Sequence, residues 1–314
     1  VYHNRIVTDE DIRRVIDAAQ VLIPNDREVL HILPQEFIVD DQDGVQNPLG
    51  MAAARLEVNV HIVTGSVTSA QNIIKCCNQS GLDVEDIVLE PLSSSQAVLS
   101  PDEQEVGVVL VDIGGGTTDV TIYSEGSIVH TAVLALGGNH LTHDIAIGLG
   151  APLHEAEEIK HSFGVAMSSM VKEDEMIDVP SVGGRNNRTM KKRVLASIIE
   201  DRFREIFELI THEIEKTHFH TLMASGVVIT GGTCIMPGAD RLASQVLNLP
   251  VRVGYPENIA GLREMIYSPK YATSVGLVRY GITSNQGKLN FVGDDTNLFH
   301  KVSRRMKDWM QDFF

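Results

Sequence analysis

The chain has 314 residues, 43% of them hydrophobic and 22% charged, enough for two or so domains with buried cores. Acids exceed bases, 42 Asp and Glu against 26 Lys and Arg, and the formal charge of −16 disfavours nucleic acid as a partner. Three cysteines with no C-x-x-C spacing argue against a disulfide framework and for a reducing setting, and no apolar run approaches the ~18 residues that span a bilayer.

The sequence opens at Val1, with neither Met nor a signal-peptide pattern, and reads as an internal piece of a longer chain. Thr8 is placed to cap a helix, with Asp9, Glu10 and Asp11 after it and Ile12, Val15, Ile16 and Ala19 at helical spacing. Strands are predicted over 28–40 and 54–65, joined by the turn-rich "DQDGVQNPLG". A helix over 66–81 carries Cys76 and Cys77, which read as small buried hydrophobes. A strand over 86–90 and a meander over 106–113, 117–123 and 127–136 follow. Gly137 and Gly138 open a helix that ends near Gly150. Residues 151–224 predict a charged helical segment, broken by a polar loop over 181–192. "SGVVITGGTCIMPGADRLASQV" returns to strand, glycines and helix, then 250–254 form a short strand and 271–282 a helix. Residues 283–297 have linker composition. His140, His143, His218 and His220 lack further ligand residues around them and are not read as a metal site.

In "VVLVDIGGGTTDVTIY" (108–123), three consecutive glycines separate two β-branched runs. A tight turn needs one or two glycines, so a third leaves bare amides facing an open concavity suited to phosphate oxygens. Thr117 and Thr118 add hydroxyl donors, and Asp112 beside phosphates makes sense if Mg²⁺ or its waters lie between. The plainer reading is a glycine-rich hairpin with solvent-exposed acids. Gly231 and Gly232 in "VVITGGTCIMPG" repeat the strand-to-glycine pattern, where a nucleoside can lie on the backbone or a turn can simply pack closely. Neither a Walker A loop nor a G-x-G-x-x-G signature after a strand is present.

Together these stretches resemble the actin-like ATPase superfamily, which includes DnaK-type chaperones, MreB and sugar kinases. "VDIGGGTTD" is similar to its second phosphate loop, "VVITGGTCIMPG" to its adenosine motif, and "IVLEPLSSSQAVL" and "YATSVGLVRYG" to its two connecting segments, in the family's order. The resemblance implies an α/β, two-domain actin-like fold that binds ATP with Mg²⁺. Asp112 would position the metal through water, Gly114, Gly115, Gly116, Thr117 and Thr118 would hold the β- and γ-phosphates, and Gly231 and Gly232 would face the adenosine. Glu157 and Lys160 match an adenine- and ribose-contacting helix; as structure alone they are a surface i,i+3 pair. Glu90 matches the position that orients the attacking water; otherwise it is a strand-end carboxylate. No second D-x-G-[ST] is found, so the N-terminal part of the first domain, with the first phosphate loop, is expected to lie outside these residues, and the chain alone to bind ATP poorly.

Residues 29–64 are similar to the subdomain that marks the FtsA family of bacterial cell-division actin homologues, and the likeness runs through nearly the whole chain. It implies that 1–61 are the rest of subdomain 1C, 62–100 and 262–282 part of 1A, 101–150 and 225–261 the nucleotide-binding 2A, and 151–224 the helical 2B. Residues 283–297 would be a linker and 298–314 a membrane-targeting helix. A filament former with slow or absent ATPase is implied, tethering FtsZ to the cytoplasmic face of the inner membrane and recruiting other division proteins. A sugar kinase and a pilus-assembly adaptor of the same fold are the alternatives.

The C-terminus supports the tether independently. Phe299, Val302, Met306, Trp309, Met310 and Phe313 repeat at helical spacing, with Lys301, Arg304, Arg305 and Lys307 beside them. Such a helix suits anionic lipid headgroups; the plainer fate is docking on the protein's own core. A second basic island, "GRNNRTMKKR" (184–193), reads equally as a solvated loop or as a dock for an acidic peptide. In FtsA the corresponding subdomain takes the C-terminal peptide of FtsZ, which makes Arg188, Arg193 and Arg202 the docking candidates.

Overall fold

The computed structural model describes residues 5–19, 26–181, 187–217, 223–257, 259 and 263–290, the side chains of 284–290 excepted. Phe299, Val302, Arg305, Met306, Trp309, Met310 and Phe313 therefore lie outside the described residues, as do His218 and His220. The chain divides into two compact units, Val1–Leu277 and Val278–Phe314.

The first unit begins with β1 (Arg5–Ile6) and α1 (Asp9–Ala18), whose start is fixed by a Thr8–Asp11 capping box. β2 (Arg27–Val39), β3 (Gln42–Val45) and β5 (Leu56–Ser66) form an antiparallel sheet in the order β3-β2-β5, and β4 (Ala52–Ala53) pairs with β1. The turn-rich joint between the two long strands thus holds two short strands of its own. Pro34 cannot donate to the ladder, and β2 absorbs it with a register shift between Pro34 and Glu36.

α2 (Val67–Gln79) buries Ala70. The face carrying Cys76 stays in solvent and Cys77 is half-buried, which corrects the expectation of two buried thiols. No strand forms over 86–90. The Leu89 amide donates to His31 Nε2 at 2.9 Å, and Pro91 in the first turn suits a helix start, so Glu90 opens α3 (Glu90–Val98). α4 (Pro101–Val106) follows, capped by Ser100 and Glu103.

The central sheet runs β12-β11-β6-β7-β8. β6 (Val108–Ile113), β7 (Thr118–Ser124) and β8 (Ser127–Leu134) are the expected antiparallel meander, while β11 (Val227–Thr230) is parallel to β6 and to β12 (Val251–Val253). Every residue of β6 is buried, so its alternation feeds two cores. Val109, Val111 and Ile113 join the larger one, and Val108 and Leu110 join Ala97, Val98 and Ala272 on the other face. Asp112 continues that second face.

α5 (Gly138–Leu149), closed by left-handed Gly150, leads to α6 (Leu153–Phe163). The segment read as helix and polar loop also contains a hairpin, β9 (Met176–Val179) with β10 (Arg188–Lys191), in which Ile177 and Val179 alternate inward. α7 (Lys192–Glu215) presents Leu195, Ile199, Phe203, Ile206, Phe207, Ile210 and Ile214 to the larger core, the two Phe rings stacked at 5.6 Å. α8 (Ala239–Leu247) and the one-turn α9 (Arg263–Ile266) precede α10 (Ala272–Asn290). α10 continues through residues whose composition predicted a linker, with the Thr283 hydroxyl donating to Arg279 O at 3.0 Å. Among the described residues, no helix is long and apolar enough to cross a membrane.

Candidate functional site

The three-glycine turn joins β6 to β7, closed by the Gly114 amide donating to Thr117 O at 2.9 Å. It is gripped from two sides. The amides of Gly138 and Asn139, at the start of α5, donate to the carbonyls of Gly114 (2.9 Å) and Gly115 (2.7 Å), and the Thr233 hydroxyl donates to Gly114 O at 2.9 Å. The carbonyls are thereby consumed, whereas Gly115 and Gly116 are exposed and their amides have no acceptor among the described residues. Two bare adjacent amides on a fixed turn form an anion-binding concavity. The close approach explains Gly137: a Cβ there would lie 2.7 Å from Gly114 O and 2.8 Å from Gly115 O.

Asp112 sits beneath this turn, 3% exposed. Its carboxylate accepts from Ser94 Oγ at 2.5 Å and from Thr273 Oγ1 at 3.4 Å. Asp119 lies directly opposite on β7, and Glu90 reaches the same Thr273 hydroxyl at 3.3 Å from α3. Burial, with the Glu90 charge added, pushes the Asp112 carboxyl up to about 6 despite the Ser94 hydrogen bond. Burial and the charges of Glu90 and Asp112 push Asp119 up to about 7. Carboxyls buried and crowded in this way gain from a cation held among them or just outside them. Anion-binding amides beside a crowded carboxylate group therefore fit a phosphate chain with a divalent ion.

Of the two threonines, Thr117 is exposed at the turn and donates to Asp119 Oδ2 at 3.3 Å. Thr118 is fully buried with its hydroxyl on Leu136 O at 2.8 Å, which removes it from the expected donors. Gly231, at φ 93°, passes over the end of β6, where a Cβ would press on Ile113 O and, at 2.5 Å, Asp112 Oδ1. Gly232 opens a 3-10 turn, Gly232–Ile235, that carries Thr233 back to Gly114.

Glu157 and Lys160 are brought to the same place. The pair is only half at the surface: Glu157 is 41% exposed, but the Lys160 side chain is 10% exposed and donates to Glu157 Oε2 (2.8 Å), Thr142 Oγ1 (2.8 Å) and Gly138 O (3.1 Å). Burial opposes ionisation of Glu157, but Lys160 and Thr142 outweigh it and hold the carboxyl below its usual range.

The three arginines stand apart from the turn. Arg188 donates to Leu149 O at the end of α5, and Arg193 meets Glu173 at 3.3 Å. Arg202 bonds both oxygens of Asp144, at 2.6 and 3.0 Å, and also pairs with Glu205. Arg193 and Lys191 line a basic cleft of about 510 Å³ with Ser168, Val194, Ser197 and Ile198. Arg202 lies in a neighbouring, acidic cleft of about 260 Å³ with Asp144, Asp201 and Glu205.

Ser94, Thr273, Thr233, Gly137 and Gly138 build the site but did not stand out in the sequence as site residues. The Gly137–Gly138 pair carried a signal, since one glycine suffices to begin a helix. A serine in place of an apolar residue on α3 carries almost none.

The family model "Cell division protein FtsA" matches residues 109–276, and "SHS2 domain inserted in FTSA" matches 1–64. FtsA of Pseudomonas aeruginosa is 43% identical over 99% of this chain and 76% of its own length. FtsA of Borreliella burgdorferi is 40% identical over 97% and 75%, and that of Escherichia coli K12 38% over 98% and 76%. Among solved structures, MreB5 of Spiroplasma citri bound to ADP shares the fold at TM-score 0.58 and 19% identity, covering 72% of this chain and 68% of that one. A PilM–PilN type IV pilus biogenesis complex does so at 0.59 and 16%, covering 87% and 72%. The actin-like α/β fold is thus shared with distant structures and the sequence with division proteins: the chain belongs to the FtsA family of cell division proteins.

Proposed function

We propose that the Gly114–Thr117 turn holds the β- and γ-phosphates of ATP, that Asp112 positions Mg²⁺ through water, and that the Gly231–Gly232 backbone faces the adenosine, with the α6 residues Glu157 and Lys160 in the adjoining wall. The observation that carries this reading is the pair of bare, exposed amides at Gly115 and Gly116, fixed by three hydrogen bonds to the neighbouring carbonyls and set beside carboxyls driven up chiefly by burial, with the charge of Glu90 added. Glu90, exposed at the start of α3 and coupled to Asp112, is the residue to orient a hydrolytic water if ATP is turned over.

On this reading the nucleotide acts as glue between the two domains of an actin-like filament. The protein tethers FtsZ to the cytoplasmic face of the inner membrane at the division site, through residues 298–314, and recruits other division proteins. The domain boundaries implied by the FtsA resemblance belong to the same proposal. Family membership favours the division role over the sugar-kinase and pilus-adaptor alternatives. For the FtsZ C-terminal peptide, an acidic segment suits the Lys191–Arg193 cleft better than Arg202, whose guanidinium is engaged by Asp144 and Glu205. Arg188 borders that side of the fold through β10.

The test is titration of a fluorescent ATP analogue with Mg²⁺ into the natural full-length protein. Binding by the parent and a loss of at least tenfold in Gly115→Val are expected; indifference to that valine sinks the assignment of the turn.

A further inference from the structure

α3 carries three consecutive buried serines, Ser93, Ser94 and Ser95, where alanine would fill nearly the same space and favour the helix. A buried hydroxyl is costly unless it is paired, so each is explained by its partner. Ser95 Oγ donates to Leu92 O within the helix and accepts from the Tyr123 hydroxyl at 2.7 Å. Ser93 Oγ donates to Thr273 O at 2.6 Å, where α10 crosses α3. Those bonds join packed elements. Ser94 differs, because its proton goes to Asp112 Oδ2 at 2.5 Å, inside the candidate site.

Thr273 completes the arrangement from α10. Its Oγ1 lies 3.1 Å from Ser94 Oγ, 3.3 Å from Glu90 Oε1 and 3.4 Å from Asp112 Oδ2. With the Ser94 proton committed to Asp112, Thr273 is left to donate, and a chain of donors that ends on a carboxylate strengthens each of its bonds. The other oxygen, Asp112 Oδ1, accepts no hydrogen bond among the described residues and lies beside Gly231, where a Cβ would come within 2.5 Å. The carboxylate is thus held through one oxygen only.

We infer that Ser94 and Thr273 are positioning residues for Asp112: their hydroxyls hold Oδ2, so that Oδ1 is kept for the waters of a divalent cation. The inference deepens the nucleotide reading above and rests on it for the cation. It predicts a loss confined to the metal. Hydroxyls that merely bond α3 to α10 would, on removal, weaken nucleotide binding equally with and without Mg²⁺.

The experiment titrates a fluorescent ATP analogue into the natural full-length protein and its variants, over a series of Mg²⁺ concentrations and in EDTA. Ser94→Ala is expected to raise the Mg²⁺ concentration for half-maximal binding at least fivefold, with affinity in EDTA within twofold of the parent. Thr273→Val gives a change of at least threefold in the same direction, and Thr273→Ser, which keeps the hydroxyl, returns to within twofold. Ser93→Ala is the control, since it removes a bond across the same helix crossing and touches no carboxylate; its Mg²⁺ dependence stays within twofold of the parent. Equal losses with and without Mg²⁺, or a Ser93→Ala shift as large as that of Ser94→Ala, overturn the inference. A double-mutant cycle of Ser94→Ala with Asp112→Ala, read from denaturant unfolding without ligand, tests the contact itself. Effects on the unfolding equilibrium that fail to multiply, by at least fivefold, support it, and effects that simply multiply overturn it. If the parent binds no MgATP, the nucleotide reading fails instead, and the cycle alone decides whether the hydroxyls hold Asp112.

Discussion

Asp112 and Asp119 face each other across the β6–β7 ladder, both nearly buried, so the strand pair that carries the glycine turn also carries two carboxyls that resist ionisation. Asp112 is pushed to about 6 and Asp119 to about 7, against 3.8 for a free side chain. A carboxyl raised on folding gives no penalty below about pH 4, where both folded and unfolded chains hold the proton. From there the penalty grows as pH rises and is complete above the folded value. The ligand-free protein should therefore lose stability between about pH 4 and pH 7. Asp119→Asn should flatten that slope and, at pH 8, be more stable than the parent by about 1–2 kcal/mol, a discounted value given that one unit is worth about 1.4. Denaturant unfolding at pH 4.5 and pH 8 measures it; identical slopes in parent and variant would show that this carboxyl is not raised.

Gly276 lies where α10 crosses α3, and a Cβ there would overlap the Ser93 carbonyl and come within 2.9 Å of Ser93 Oγ. Two effects compete in Gly276→Ala. Helix propensity favours alanine by about 1 kcal/mol. Against it, α10 must move off α3, which stretches the 2.6 Å bond from Ser93 Oγ to Thr273 O and the contact of Thr273 with Ser94. Backbone overlap cannot relax as a side chain can, so a net loss of about 2–3 kcal/mol is expected. A thermal melt of the variant at or above the parent's would mean that α10 is free to slide.

How far this site was legible in the sequence depended on how its residues act. The Gly114–Gly116 run announces itself because stripping side chains from three neighbours makes no sense for a hairpin alone. Gly231 is legible for the same reason, in a second strand. Glu90 was misplaced on a strand because "DIVLE" has strand composition. The decision is made by His31, far away in sequence, which takes the Leu89 amide. Lys160 looked like a helical surface pair because its other two partners, Gly138 and Thr142, come from another helix. The hairpin of β9 and β10 was hidden for want of length. Four residues with two inward apolar positions weigh little in any window, and the strands are held by each other and by the larger core, which Ile177 and Val179 join.

Gly231 offers a sharper test of the second glycine segment. At φ 93° any side chain is strained by about 1–3 kcal/mol, and a Cβ would also press on Asp112 and the Ile113 carbonyl. Gly231→Ala should lower stability by roughly 2–4 kcal/mol and disturb Asp112 directly. Gly232→Ala is the control, because a Cβ there meets only Lys270 Cβ at 3.7 Å, an ordinary contact. If both alanines cost the same, Gly231 is not the constrained position. If Gly232→Ala leaves folding intact and weakens MgATP, the second glycine is kept for the ligand.

The membrane proposal rests on the stripe from Phe299 to Phe313, with Trp309 near its middle and Arg304, Arg305 and Lys307 beside it. A Trp is suited to the headgroup boundary, where its ring is apolar and its N–H finds water. Removing a large apolar side chain from that boundary forfeits about 1.5–3 kcal/mol. A carboxylate in its place adds repulsion from anionic lipid, on the order of another 1 kcal/mol per charge at the surface. Trp309→Glu should therefore cut binding of the full-length protein to phosphatidylglycerol-containing vesicles by at least tenfold, with an unchanged circular dichroism spectrum and melting temperature. Neutral vesicles should bind both forms weakly, since Arg305 and its neighbours then have no counter-charge. Equal sedimentation of variant and parent with anionic vesicles would leave the stripe to some other surface. A lowered melting temperature in Trp309→Glu would identify that surface as the protein's own core.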